Sequence, residues 1–427
     1  MFCRSRGRIR AIILIFGFLS ASAGAADALT LGEAQDLAIF RSAQLIGNKA
    51  SVAAARQMAS AAGQLPDPVL KLGVENLPIN GPDRLSLTRD FMTMRRIGLS
   101  QEIPRAEKRQ LRSERFEKEA VRMVAESQLN IANIRRETAI AWVDRYYAQQ
   151  TRDVVLNQVA ETKLQAQTAE SGYAVGRNSQ ADVFAARTAL VMLEDKLSQI
   201  DKQERNATLM LTRWVGIEGQ RPVIGAPAWQ SSHLDGDRLS EHFQNHPDLV
   251  MLRAQVDAAE TEAQLAQANK SPDWNFEVAY SHRGSAYSNM ISFGVSVPLQ
   301  WDQKNRQDRE LAAKLALVDE AQAKYEETLQ VHDAEVRGLL NEWNNGKLRV
   351  ARYKGELIPF AKQRTEASLT GYRTGKSDLV SALSARRDEV DTRIQALNVE
   401  METARAWAQL NFLIPDHNVN ARNGKQP

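Results

Sequence analysis

The chain has 427 residues but only six histidines and one cysteine, so few side chains suit nucleophilic or metal chemistry. The cysteine is Cys3, in a basic N-terminal stretch, and the rest of the chain offers no disulfide, thiolate nucleophile or cysteine ligand. His242 and His246 stand four apart, a spacing that can present two imidazoles to a metal from one helix face, and His233 is nearby. Met92 and Met94 alternate on an expected strand, where thioethers could touch a soft cation such as Cu(I). Neither set comes with a third ligand, so a surface helix and ordinary strand residues are the simpler readings. No metal site and no cofactor is assigned. There is no phosphate-binding glycine loop, no H-E-x-x-H and no G-x-S-x-G, and no enzyme is expected. Acidic pairs such as Asp388 and Glu389 fall on amphipathic stretches and are expected on solvated faces.

The elements that would position such groups begin after an export signal. Arg4, Arg6, Arg8 and Arg10 precede the apolar run Ala11–Leu19, which is too short to span a bilayer, and Ala23-Gly24-Ala25 is a cleavage site. Removing residues 1–25 takes away four arginines and turns the net charge of +3 into about −1, which leaves no basic footprint for nucleic acid. Beyond it, residues 31–64 read as a helix stopped by Pro66-Asp67-Pro68. Residues 69–103 read as two strands around a loop carrying Pro78, Gly81 and Pro82. From Pro104 there is no glycine until Gly172, so 105–171 reads as one helix of roughly 100 Å. A helix over 180–214 carries a heptad seam of Val183, Ala186, Leu190, Leu193, Leu197, Ile200, Leu211 and Trp214, breached at Glu204.

The second half repeats the plan: helix 239–270, hairpin 274–299, long helix 302–370 and helix 377–412, then a polar tail at 418–427. Gln322 and His332 occupy seam slots in the long helix, and Pro359 should kink it. Pro66-Asp67 answers Pro272-Asp273, and Gly98-Leu99-Ser100 answers Gly294-Val295-Ser296. Gly172-Tyr173-Ala174-Val175-Gly176-Arg177 answers Gly371-Tyr372-Arg373-Thr374-Gly375-Lys376. Ala186-Arg187 answers Ala385-Arg386. Such self-similarity indicates duplication, with repeats over 26–225 and 226–417. The fold class is mainly α with a small β part. Four strands that alternate apolar with polar cannot close a barrel, and open edges are not tolerated in lipid. Either they pack as a soluble sheet or several chains pool strands, and helices this long with narrow seams favour pooling around a water-filled lumen. Phe276, Val278, Tyr280, Phe293 and Val295 should then face lipid, and Asn275, Glu277, Ser292 and Ser296 the lumen.

With its duplicated strand–helix plan, paired Gly-Tyr-x-x-Gly turns and Ala-Arg pairs, the chain resembles the TolC-type outer-membrane efflux family over nearly all its mature length. Gln64-Leu65-Pro66-Asp67-Pro68, Glu75-Asn76-Leu77-Pro78 and Gln101-Glu102-Ile103-Pro104 look most like the heavy-metal-export branch. The resemblance implies a homotrimer whose twelve strands form one β-barrel in outer-membrane lipid, above a long periplasmic α-helical barrel. It implies a periplasmic adaptor (membrane fusion) protein and an inner-membrane RND-type pump as partners. It also implies tip turns at Gly172, Tyr173, Gly176, Arg177, Gly371 and Gly375, and a periplasmic gate that falls on Asp182, Tyr372 and Lys376. The family's acidic constriction would fall on Ser381 and Ser384, leaving Asp378 as a substitute. The alternative reading is an exported coiled-coil scaffold or adhesin without a pore, which would have no use for an apolar face on four short strands.

Overall fold

The computed structural model describes residues 28–232 and 246–413. The signal segment, His233, His242 and the tail from 418 lie outside the described residues. Helices α1 (Leu31–Arg41) and α2 (Ala43–Ala62) replace the single helix expected over 31–64. Ser42 causes the break: its extended backbone ends α1, and its hydroxyl accepts the Leu45 N–H at 3.3 Å to cap α2. Strands β1 (Val69–Glu75) and β2 (Met94–Ile103) follow. Next come α3 (Ala106–Ala174), which at 69 residues is about 100 Å long, and α4 (Gln180–Val215).

The second half contains α5 (Pro247–Ala268), β3 (Trp274–His282), β4 (Met290–Ser296), α6 (Gln307–Arg352), α7 (Ile358–Arg373) and α8 (Leu379–Leu413). A π-helical turn, Tyr353–Leu357, joins α6 to α7 immediately before Pro359. Pro359 has no N–H to give to the preceding turn, and the wider turn absorbs that loss without ending the helix. Among the described residues no helix is long and apolar enough to cross a membrane.

The repeat is visible in the packing. Trp142 in α3 is buried and donates its indole N–H to the Leu29 carbonyl at 3.1 Å. Trp343 in α6 does the same to the Trp229 carbonyl at 2.6 Å. Each tryptophan thus ties the long helix of its repeat to the extended chain before that repeat's first helix. Around them lie Leu211, Leu249, Val336, Trp407 and Leu410, the main core. The breach at Glu204 is also explained, because Arg145 and Arg152 of α3 bond its carboxylate. A buried ring with a bonded N–H contributes both packing and a satisfied carbonyl, so Trp142→Ala should cost about 3–5 kcal/mol. Urea unfolding followed by circular dichroism measures this.

Candidate functional site

Strand order in the sheet is β1-β2-β3-β4, every pair antiparallel. The pairing puts Leu70, Leu72, Ile97, Leu99, Phe276, Val278, Tyr280, Ile291, Phe293 and Val295 on one face. Lys71, Glu75, Arg96, Asn275, Glu277, Ser281, Ser292 and Ser296 share the other. In β2 and β3 exposure is inverted relative to a sheet in water, while β1 and β4 are exposed on both faces. Leu72 is 71% and Phe293 83% exposed on the apolar face, while Ala279 and Ser281 on the polar face are 2% and 3% exposed. Hiding each large apolar side chain from water would be worth roughly 1.5–3 kcal/mol, so a face like this one is made for hydrocarbon. On the polar face Glu277 accepts from Lys71 at 2.6 Å and Arg96 at 2.5 Å, and Arg96 also reaches Glu75 at 2.6 Å. Those charges compensate one another across three strands.

At the far end of the long helices, the two Gly-Tyr-x-x-Gly turns have the same construction. Gly176 and Gly375 adopt φ of +74° and +70°, where a side chain would be strained. Arg177 N–H donates to the Gly172 carbonyl and Lys376 N–H to the Gly371 carbonyl, both at 2.8 Å. The first glycine of each motif makes room. A Cβ on Gly172 would stand 2.6 Å from Asn178 Nδ2, and one on Gly371 would stand 2.7 Å from Ser377 Oγ. Those side chains close the turns by donating to the Ala169 and Ser368 carbonyls. Tyr173 is half-exposed, and Arg177 and Lys376 are exposed.

The expected gate residues do not pair as drawn from sequence. Asp182 is the third residue of α4 and accepts from the Ser179 N–H and hydroxyl, at 2.9 and 2.7 Å, in a capping box. Its carboxylate is therefore turned to its own helix start. Tyr372 instead donates its hydroxyl to Asn178 Oδ1 at 3.1 Å, joining the second turn to the first. Asp378 accepts the Ser381 N–H at 2.7 Å, and the Ser381 bonds hold its pKa below the ordinary value. Asn178 was legible only as a polar residue after a glycine; its role needs the two hairpins side by side. Glu389 corrects the expected solvated face, being 1% exposed and paired with Arg386 and Arg393.

An inside-out sheet on a shaft of long helices has counterparts among known proteins. The model of the family described as outer membrane efflux protein matches residues 239–414. That stretch of the chain is similar to the outer membrane efflux proteins. The cobalt-zinc-cadmium resistance protein CzcC of Cupriavidus metallidurans is 24% identical over 258 residues, which is 58% of this chain and 60% of that protein. The match thus spans less than two thirds of that relative. Two solved structures share the fold over 90% of this chain: CusC, covered over 92% of its length (TM-score 0.78, 14% identity), and the outer-membrane channel OprN, covered over 89% (TM-score 0.75, 16% identity).

The expected soft-metal groups fall elsewhere. Met92 precedes β2, because Asp90 Oδ1 accepts the Met92 and Thr93 N–H groups and closes a turn there. It therefore shares no strand face with Met94. His246 caps α5, accepting the Asp248 N–H at 3.3 Å. Its ring lies 4.2 Å from that of His332, whose Nε2 meets Asp248 Oδ2 at 3.0 Å. Among the described residues no group of three or more His, Cys, Asp or Glu is arranged to hold a metal.

Two predictions follow from these contacts. Asn178→Ala and Tyr372→Phe should each loosen the tip, with a coupling of about 0.5–1.5 kcal/mol in a double-mutant cycle, read by hydrogen exchange at residues 172–178. Burial lowers the His246 pKa to about 4. The folded state then resists a proton that the unfolded state accepts near 6.5, so stability is lost as pH falls from about 6.5 towards 4. Asp248, held below its ordinary pKa by the His332 bond, adds a loss only below about pH 4. His246→Asn, which keeps a capping oxygen, should flatten the melting temperature between pH 6.5 and 4.

Proposed function

We propose that this protein is the outer-membrane exit duct of a tripartite efflux system, and that three copies pool their strands into a twelve-stranded barrel. The observation that carries the reading is the inverted sheet. An apolar outer face and a charge-compensated inner face suit a wall between lipid and a water-filled lumen. The sheet ends at β1 and β4, whose outer edges are unpaired among the described residues, and lipid does not tolerate unpaired edges. Further copies must close it. A coiled-coil scaffold makes no use of these features.

Below the sheet the helices reach far into the periplasm, and their tips present exposed Arg177 and Lys376 where an adaptor and an inner-membrane RND-type pump would meet them. Transport is passive: the duct needs a closed wall and a tip that opens, and no reacting group. Heavy-metal cations are the proposed cargo, supported by the likeness to the cobalt-zinc-cadmium resistance protein. A passive duct does not need a tight metal site, which would slow release.

Purified protein in planar bilayers should give discrete pores, and deleting the gene should lower tolerance to cobalt, zinc and cadmium, restored by the wild-type gene. A soluble monomer without conductance would remove the channel. Pores with unchanged metal tolerance would leave the channel and remove the metal cargo.

A further inference from the structure

The two hairpins are superposable in register as well as in kind. Val69 pairs with Ser100 and Glu75 with Met94 in the first; Asn275 pairs with Ser296 and Ser281 with Met290 in the second. With Asp67 answering Asp273 and Gly98 answering Gly294, these are the same pairs, residue for residue. Every position of β1 thus has a fixed counterpart in β3, and every position of β2 one in β4.

One contact between the repeats lies inside the protomer, where β2 meets β3. Its register pairs Ile97 with Tyr280, Leu99 with Val278 and Ser100 with Glu277. Below it Lys108, only 3% exposed, places Nζ 2.9 Å from Asp273 Oδ1 and 2.6 Å from the Ser271 carbonyl. Asp273 also accepts the Arg105 N–H at 3.3 Å, so this clasp seals the join between sheet and helices.

Both halves of a second clasp are present but lie on opposite edges. The counterpart of Asp273 is Asp67, ahead of β1, and the counterpart of Lys108 is Lys304, after β4. Both are exposed, and neither has an ion-pair partner among the described residues. Lys304 sits in the turn before α6, closed by the Arg306 N–H to the Asp302 carbonyl at 3.2 Å, and Lys108 in the first turn of α3. The glycines agree. Gly98 lies opposite Ala279, where a Cβ would approach the Ala279 Cβ at 3.2 Å. The counterparts are Gly294 and Gly73, and a Cβ on Gly73 would meet nothing within 4 Å.

We infer that β4 of one copy pairs antiparallel with β1 of a second copy in the register of β2 on β3, and that Lys304 of the first clasps Asp67 of the second. This rests on the multi-copy barrel proposed above and names its seam. The register sets Phe293 against Val74, Val295 against Leu72, Gly294 against Gly73 and Ser296 against Lys71 of the next copy. Apolar residues then meet apolar ones on the outer face, small residues meet at the glycine pair, and a slip of one residue would break both matches. A cation buried beside a carboxylate and a carbonyl is expected for Lys304, replacing the exposed ammonium of the single chain.

Cysteine cross-linking of the full chain in outer-membrane vesicles tests it, on a mature protein with no cysteine of its own. Val295→Cys with Leu72→Cys, and Ser296→Cys with Lys71→Cys, sample the two faces. At least one pair should oxidise to a covalent ladder ending at the closed ring, since directly opposed Cβ atoms lie about 4.5–5.5 Å apart. Ser292→Cys with Lys71→Cys, four residues out of register, should stay monomeric on denaturing gels. Asp67→Lys and Lys304→Asp should each lower the temperature at which the oligomer dissociates in detergent, and the double exchange should recover at least half of the loss. Cross-linking only in the shifted pair, or a double exchange no better than the singles, overturns the seam while a conducting wild-type oligomer keeps the duct. A wild-type protein that neither oligomerises nor conducts overturns both.

Discussion

Everything in this molecule depends on a sheet that cannot be satisfied within one chain. Backbone N–H and C=O groups in hydrocarbon have no water to bond, and the outer edges of β1 and β4 are unpaired among the described residues. The apolar side chains point outward, so the sheet does not cover itself with the helices that follow it. A soluble protein would pack such a face against α3 or α6. Here those helices run on past the strands, and only the polar-side residues of the central strands, such as Ser100, Ala279 and Ser281, are buried. The proposed membrane placement, assembly and lumen all rest on that one arrangement.

Duplication makes the arrangement economical. One strand–strand–helix unit, used twice, supplies two hairpins in identical register, two tryptophan ties to the extended chain and two tip turns with the same hydrogen bonds. The repeats also diverge where they differ in task. In the first tip Asn178 closes the turn and accepts from Tyr372, whereas its counterpart Ser377 only closes its own turn. The bridge between tips is therefore one-sided, and the second repeat leans on the first. The long helix is unbroken in the first repeat but widened at Tyr353–Leu357 in the second, ahead of Pro359.

The charged groups sort by environment. On the polar side of the sheet Lys71, Arg96, Glu75 and Glu277 neutralise one another, so that face carries no single sign of charge. Along α8 Glu389 is nearly fully buried between Arg386 and Arg393, and Arg386 also reaches Glu161 of α3. His246 is buried against the ring of His332, and the His332 bond to Asp248 explains why a histidine could occupy a seam slot of α6.

Much of the architecture was legible in the residues alone. Period-2 alternation in four short stretches, absence of glycine and proline over long ones, and matched motifs set the elements, their order and their duplication. These are local properties, and local sterics and periodicity decide them. The break at Ser42 and the start of β2 at Met94 were missed because each turns on the hydrogen bonding of one side chain, Ser42 in the first case and Asp90 in the second. Groups distant in sequence were beyond its reach. Tyr372 meeting Asn178 instead of Asp182, His246 meeting His332, and the inward turn of Glu389 all depend on which helix lies beside which. That is settled by packing, where a change in neighbour alters a side chain's partner without altering its place in the chain. The sequence alone determined that four strands would have one apolar face; only the tertiary structure decided that this face looks outward, because nothing among the described residues folds over to cover it.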